Sequence, residues 1–444
     1  VFKVKCVIPF VAAFAICALA VFHVAANDAH RPDIIMITVD TLRADRLSGY
    51  GYERRTSPAI DALMNEGIRF EDALTAIPLT GPSFSSIMTS HYPHETGATR
   101  NGLPMDRTFP TLAELLKRHG YATGAIISNW TLKREISGMD RGFDYYNDDL
   151  KSKRTIAVSE QDARCVTNLA IAWINRAAKA RPFFAWAHYS DTHTPYKLRK
   201  QFAFRLRKGE TEDSPSYRYD TEVAYVDFHI GRLLRFLESR NLKNDALIIF
   251  LADHGESLGE HDYFGHGRQV YQPIIRVPLS ITGPGIYSGI VCKAGVSLLD
   301  VMPTILSRVG ISLDGLRGRN LIASGGMPVL VSEFTRFFET YHGAVPDAAA
   351  ARKVMPGAKP LRIGVIEGDW KLIHSPEEDL RALYNLSADP LELDNISVNN
   401  KARTAVMTRR AWDLFQETNP KNPPKPRLIP PDVRKNLESL GYLQ

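Results

Sequence analysis

Three short runs in this chain are too apolar to sit anywhere but inside a sheet. Asp33–Val39 (DIIMITV), Pro182–Tyr189 (PFFAWAHY) and Ala246–Ala252 (ALIIFLA) lack the polar alternation of a strand with one wet face. A strand of that kind is covered on both sides, as the strands of parallel sheets are. The segments between them read as helices. One spans about Glu160–Lys179 and feeds the second run; another spans about Tyr219–Ser239 and feeds the third. A further helix starts with Ser57 as N-cap and Pro58 in the first turn, carries Ile60, Leu63 and Met64 on one face, and has Gly67 beyond its end. Phe109–His119 repeats the pattern with Gly120 at C′, and Tyr121–Ser128 is the strand that follows. Strands alternating with helices of this length predict an α/β fold: a parallel sheet sandwiched by helices.

The character changes near Pro328. Arg362–Gly368, Trp370–His374 and Leu383–Leu386 read as short strands joined by turns, which predicts a small C-terminal antiparallel sheet subdomain. Tyr341–Lys359 reads as an exposed Ala/Pro/Gly-rich loop, and Asn419–Pro431 as a Pro/Lys-rich tail lying extended on the surface. The division expected is 31–325 for the main domain and 326–444 for the C-terminal subdomain and tail.

In a parallel α/β sheet the ligand lies beyond the carboxyl ends of the strands. The first apolar run ends in Asp40, the third in Asp253-His254, and the second runs into Ser190-Asp191-Thr192-His193. A further stretch, Leu79–Ser90 (LTGPSFSSIMTS), sets Thr80 before a Gly81-Pro82 turn, with a helix starting near Ser83 and Ser85 also in its first turn. A hydroxyl there faces the N–H groups of a helix start, where an anion is stabilised. Asp40, Asp253 and His254 with the Thr80 oxygen offer four ligands to one divalent cation. Carboxylate, imidazole and alkoxide suit Zn²⁺ or Mn²⁺; an oxygen-richer set with waters suits Ca²⁺ or Mg²⁺. Such an ion would lower the pKa of the Thr80 hydroxyl and neutralise an ester oxygen. His193 and His266 (in YFGHG) are candidates to contact the ester or protonate its leaving group.

Charge narrows the partners. A formal net charge of +6 over 444 residues, with no dense Lys/Arg run, argues against nucleic acid and by itself only leaves a small-molecule, glycan or lipid anionic ester open as substrate. Lys3 and Lys5 precede an apolar run, Cys6–Ala26, ending in Val24-Ala25-Ala26. Residues 1–26 therefore read as a signal peptide or an N-terminal anchor, and the protein as exported: periplasmic, extracellular, or tethered to a membrane through residues 6–26. Cys6 and Cys17 lie in that segment, which leaves Cys165 and Cys292 for at most one bridge.

With these residues in view the chain resembles the sulfatase family of the alkaline phosphatase superfamily. TVDTLRADRLSGYGYERRTSPAIDALMNEGIRFEDALT at 38–75 is similar to the family's opening strand and helix, and LTGPS to its nucleophile motif. HYSDTHTPY at 188–196 resembles its mid-chain histidine motif and LADHGESLGEHDYFGHG at 251–267 its second metal motif. VSLLDVMPTILSRVGI at 296–311, GDWKLI, and LYNLSADPLELDNIS at 383–397 resemble the end of the main domain and the C-terminal subdomain. The resemblance implies an alkaline-phosphatase-like fold, metal ligands Asp40, Asp253 and His254, Thr80 at the nucleophile position, and substrate contacts from His193 and His266.

The departures bear on function. Typical sulfatases carry a Cys in C-x-P-S-R that becomes formylglycine, and its hydrate attacks sulfur. Here that position is Thr80, the motif's Arg is Phe84, and a second aspartate common after the first strand is Thr41. The Lys and His of the family's G-K-W-H stretch correspond to Asn129 and Thr131, which makes Asn129 a substrate-binding candidate. Other members of the superfamily pass through a phospho-threonine. The expectation is a sulfatase-like, metal-dependent hydrolase that cleaves a phosphoester (mono- or diester, phosphonate ester included) or a sulfate ester, with Thr80 as nucleophile or metal ligand. Two alternatives are an inactive sulfatase-fold protein that binds anions and a membrane-anchored phosphotransferase. The substrate's organic part is left to loops such as Trp130–Asp149, Lys197–Ser216 and Thr335–Lys359.

Overall fold

The sheet is built around the first apolar run. The computed structural model describes residues 31–150, 152–153, 159–180, 182–330, 334–341, 360–419, 431 and 435. The expectations for residues 1–26, for most of Tyr341–Lys359 and for the 420–430 tail lie outside the described residues. Among the described residues no helix is long and apolar enough to cross a membrane.

In chain order the main elements are β1 (Asp33–Val39), α1 (Pro58–Asn65), β2 (Ile68–Leu74), α2 (Thr80–Thr89), α3 (Leu112–Arg118), β3 (Ala122–Ile126), β4 (Tyr145–Asn147), α4 (Ala163–Ala177) and β5 (Phe183–Tyr189). They continue with α5 (Pro215–Ser239), β6 (Ala246–Ala252), β7 (Arg276–Thr282), β8 (Ile290–Cys292) and α6 (Val301–Arg308). Then come β9 (Arg336–Thr340), β10 (Arg362–Glu367), β11 (Trp370–Ser375), β12 (Leu380–Asn385) and α7 (Lys401–Thr418). All lie in the unit Asp33–Gln444.

The main sheet runs β8-β2-β7-β6-β1-β5-β3-β4. The stretch from β6 to β4 is parallel, as the apolar runs demand, whereas β7 is antiparallel to both β6 and β2. The sheet is thus mixed, with its parallel half centred on β1. Every residue of β1, β5 and β6 is buried. Burying one large apolar side chain fully is worth about 1.5–3 kcal/mol, so these three strands anchor the fold. At β3, Gly124 lets α4 close on the sheet: a Cβ there would lie 2.2 Å from the Trp173 ring.

The C-terminal sheet is antiparallel in the order β9-β10-β11-β12. Alternate residues face opposite ways, as the pleat requires. Phe337, Val365, Leu372 and Leu383 pack with Met407, Ala411 and Phe415 of α7, while Phe338, Ile366, Ile373 and Tyr384 pack with Leu74, Val270 and Ile275 of the main domain.

Several expectations need correcting. β9 and Tyr341 fall in stretches read as loop; Arg336–Thr340 is a buried strand, and Tyr341 packs against Ile77 and Leu79. Trp130–Asp149 holds a 3-10 turn, a short helix and β4 rather than open loop. No disulfide joins Cys165 and Cys292. α2 begins at Thr80 itself, three residues before the expected start. Ser57 occupies the N-cap position of α1, but its hydroxyl donates to Asp61 Oδ1 (2.8 Å). The cap comes from α5 instead: Asp227 accepts the N–H groups of Ala59 and Ile60 at 3.0 and 2.8 Å.

Burial, opposed by those two N–H bonds, pushes the Asp227 carboxyl up to about 7. The folded state therefore keeps a proton that the unfolded chain gives up near pH 4. The stability this group contributes is full below that pH and is lost as pH rises toward 7. Denaturant unfolding of the native protein and of Asp227→Asn at pH 5 and pH 8 is expected to show the native protein losing stability relative to the variant on going to pH 8.

Candidate active site

The register of the central strands brings the candidate ligands together. Val39 of β1 is paired with Ala252 of β6 and with Tyr189 of β5. The next residues, Asp40, Asp253 and Ser190, therefore come level at the carboxyl edge. One ligand atom from each of Asp40, Asp253 and His254 lies within 4.8 Å of the others, and all three residues are buried. His254 Nδ1–H donates to Gly255 O at 2.9 Å, which leaves the lone pair on Nε2. That nitrogen lies 3.8 Å from Asp40 Oδ1, 3.6 Å from Asp253 Oδ2 and 3.4 Å from Thr80 Oγ1.

The other oxygen of each carboxylate is spoken for. Asp253 Oδ1 accepts from the N–H groups of His254 (2.9 Å) and Thr41 (3.3 Å), and Asp40 Oδ2 accepts from Asn129 Nδ2. Asp40 Oδ1 and Asp253 Oδ2 have no hydrogen-bond partner among the described residues. Burial and then Asp253 hold the Asp40 carboxyl well above the usual carboxylate range, and burial pushes Asp253 up to about 8. Two orphaned, buried oxygens beside an imidazole lone pair and a hydroxyl fit a divalent cation, whose charge would reverse both shifts.

Holding the site costs backbone strain. Thr41 adopts φ +57°, a left-handed conformation that β-branched residues avoid. It is held there because its N–H reaches Asp253, its hydroxyl donates to Asp40 O (2.7 Å), and its carbonyl accepts from Tyr219 OH (2.7 Å). Thr192 also donates to Asp40 O, at 2.5 Å.

Thr80 opens α2, and its helix is entirely buried. The N-cap, Leu79, has no side chain to offer, and the N–H of Gly81 goes to Asn101 Oδ1 at 2.9 Å. Pro82 has no N–H at all, so this helix end offers an anion fewer donors than the sequence implied. Ser83 turns inward and donates to Asp253 O at 2.8 Å, which ties the helix to the metal-competent edge. Phe84, where the resemblance would put arginine, packs on Trp186 and His188 with ring centroids 4.8 and 5.0 Å away.

His266 and His193 join the same cluster. The His266 ring centroid is 4.4 Å from that of His254 and 5.1 Å from that of His193. His193 Nδ1–H donates to Thr194 O (2.7 Å), and His266 Nδ1–H to Glu256 Oε1 (2.9 Å). Burial drives this last pair toward neutrality, Glu256 upward and His266 downward. Asn129, the substrate-binding candidate, lies in the cluster with its amide nitrogen on Asp40 and its oxygen accepting from Thr131 N and Oγ1.

Two residues of the cluster are missing from the sequence reading. Glu256 follows Asp253 by three positions, and a carboxylate so soon after two candidate ligands was the available signal. Asn101 precedes Gly102 and reads only as a turn.

The family model described as Sulfatase matches residues 32–311, well over half of the chain, and the chain belongs to the sulfatase family. Among curated relatives, the N-acetylglucosamine-6-O-sulfatase of Bacteroides thetaiotaomicron is 25% identical, over 88% of this chain and 87% of its own length. The choline-sulfatase of Rhizobium meliloti is also 25% identical, over 86% of this chain and 87% of its own. Among solved structures, the phosphonate monoester hydrolase of Agrobacterium radiobacter superimposes with a TM-score of 0.71 at 20% identity, covering 90% of this chain and 100% of its own. The chain is a sulfatase-family ester hydrolase with a mixed α/β fold and a small C-terminal antiparallel sheet.

A cation at this edge would stabilise the fold by mass action, by about 2.7 kcal/mol at a hundredfold excess over its dissociation constant. Chelator-treated protein is expected to melt later when Mn²⁺, Zn²⁺, Ca²⁺ or Mg²⁺ is restored, with one ion per chain by elemental analysis. Asp253→Asn and Asp40→Asn should abolish both responses.

Proposed function

We propose that the chain cleaves an anionic ester through Thr80 and one divalent cation held by Asp40, Asp253 and His254, and that a phosphoester or phosphonate ester is favoured over a sulfate ester. One observation carries this reading: Thr80 Oγ1 stands 3.4 Å from His254 Nε2, beside the orphaned oxygens of Asp40 and Asp253. The ion would supply a lowered hydroxyl pKa and a charge set against an ester oxygen.

The chain's own groups supply the geometry. Ser83 fixes the turn that aims Thr80, and Thr80 Oγ attacks the phosphorus or sulfur in line with the leaving oxygen. Asn129 orients Asp40 by holding its second oxygen. His193 and His266, whose Nδ1–H groups are engaged, offer Nε2 lone pairs: one takes the proton that Thr80 gives up and delivers it to the leaving oxygen as its bond to phosphorus or sulfur breaks, with Glu256 keeping the His266 ring in place. A threonine cannot become formylglycine, and a sulfate ester on Thr80 would lack the elimination route open to an aldehyde hydrate. A phosphate on Thr80 can be displaced in line by water. That asymmetry supports the phosphoester preference.

The curated relatives favour a second reading, since their names specify sulfate esters. In it water attacks directly and Thr80 serves only as a ligand. An inactive anion-binding scaffold is the weaker reading, because such a scaffold has no physical need for two orphaned carboxylate oxygens. Export by residues 1–26 and placement of the chemistry in 31–325, with 326–444 in support, belong to the same proposal.

Turnover of aryl phosphate mono- and diesters, phosphonate esters and sulfates discriminates the readings. Thr80→Ala is expected to lower phosphoester turnover by at least about a thousandfold, as removal of a nucleophile does. A phosphate adduct on Thr80 should appear by intact mass during turnover. Sulfate cleavage that survives Thr80→Ala would instead establish direct water attack.

A further inference from the structure

The five residues after His266 form no helix or strand until the short turn of helix at Gln272–Ile275. Backbone groups in such a stretch still need partners. They find them in the C-terminal sheet. Thr340 Oγ1 at the end of β9 donates to Gly267 O, and Arg362 of β10 donates through its guanidinium to Arg268 O. Lys371 Nζ of β11 donates to Val270 O at 2.7 Å, and the N–H of Gln272 donates to Glu392 Oε2, beyond β12, at 2.6 Å.

Lys371 and Glu392 are also paired with each other at 2.5 Å, and neither is exposed. A buried ion pair is a poor source of stability, because desolvation offsets the attraction. What this pair adds is a grip on both ends of Val270–Gln272. Upstream, Gly267 turns at φ +91° against α2's approach, so that a Cβ there would lie 2.9 Å from Leu79 Cδ2. Leu79 immediately precedes Thr80. The backbone N–H of Glu339 in β9 donates to Ala76 O at 2.9 Å, and thus also holds the lead-in to α2.

We infer that Thr340, Lys371 and Glu392 are positioning residues of the active site: the C-terminal sheet moulds residues 267–272 so that His266 meets His254 and His193. The inference rests on the reading of His266 as a group that handles the ester. In it the small sheet is part of the catalytic apparatus, acting through one loop.

Two variants test this. Thr340→Val removes one hydroxyl at near-constant volume, and Lys371→Met/Glu392→Met removes both charges together, so that none is stranded. Thr340→Ser is the rescue. The measurements are melting temperature, kcat and KM on nitrophenyl and phenyl phosphoesters, and ¹⁵N NMR of the histidine rings, with the His266 signals assigned through His266→Ala. Both variants are expected to stay folded, to lose up to about a hundredfold in kcat with the larger loss on the phenyl ester, and to shift the His266 ring signals. Thr340→Ser is expected to restore both. Variants that only melt earlier, with native kcat, KM and His266 signals, overturn the inference. If His266→Ala leaves phenyl ester turnover unchanged, it is the reading of His266 that fails. The ring signals then decide the positioning alone, with a shift supporting it and no shift overturning it.

Discussion

The two aspartates that end β1 and β6 are level because the strands are parallel and in register, and burial makes their closeness expensive. Two carboxylates in a water-poor setting resist being ionised together unless a positive centre joins them. The surroundings satisfy one oxygen of each and, among the described residues, give the other no hydrogen-bond partner. Thr41 accepts a strained backbone and Asn129 gives up its amide to that end. His254 is locked in the tautomer that faces the same point with a lone pair. The donor set fits a divalent cation.

Thr80 and Phe84 look like two separate departures from the family's nucleophile motif, but they lie on one buried helix and share one environment. A guanidinium at 84 would face Trp186 and His188, the rings on which Phe84 packs. Thr38 already ties those two side chains together, accepting from Trp186 Nε1 and bonding His188 Nδ1, each at 2.9 Å. The lining beside Phe84 on this helix is therefore aromatic and neutral. With no modified residue to hold, a threonine needs no arginine beside it.

The sheet and its ligand-bearing edge were legible because apolar runs ending in Asp or His report both burial and strand direction. Asp33–Val39 and Ala246–Ala252 are strands over those same residues. What escaped depended on contacts between distant segments. β7 runs antiparallel inside a sheet whose other central strands are parallel, and nothing in RVPLSIT states a direction. β9 reads as loop because it precedes an Ala/Pro/Gly-rich stretch, and its apolar residues are half of a pattern completed by α7 and by Val270. Ser57 has the chemistry of a cap, yet Asp227, 170 positions away from it in round terms, does the capping. At the site, chain position pointed to Asp40, Thr80, Asp253 and His254, whereas Glu256 and Asn101 matter through the groups they touch.

Asn101 has one more implication. The helix that begins at Thr80 receives its cap from a loop twenty residues on, through the N–H of Gly81. The Thr80 hydroxyl carries no capping duty, and among the described residues its partner is His254. Position 80 is thereby relieved of capping its own helix. Because the cap lies elsewhere, a change of side chain at 80 falls first on the cluster of His254, Asp40 and Asp253 and only then on the helix that begins there.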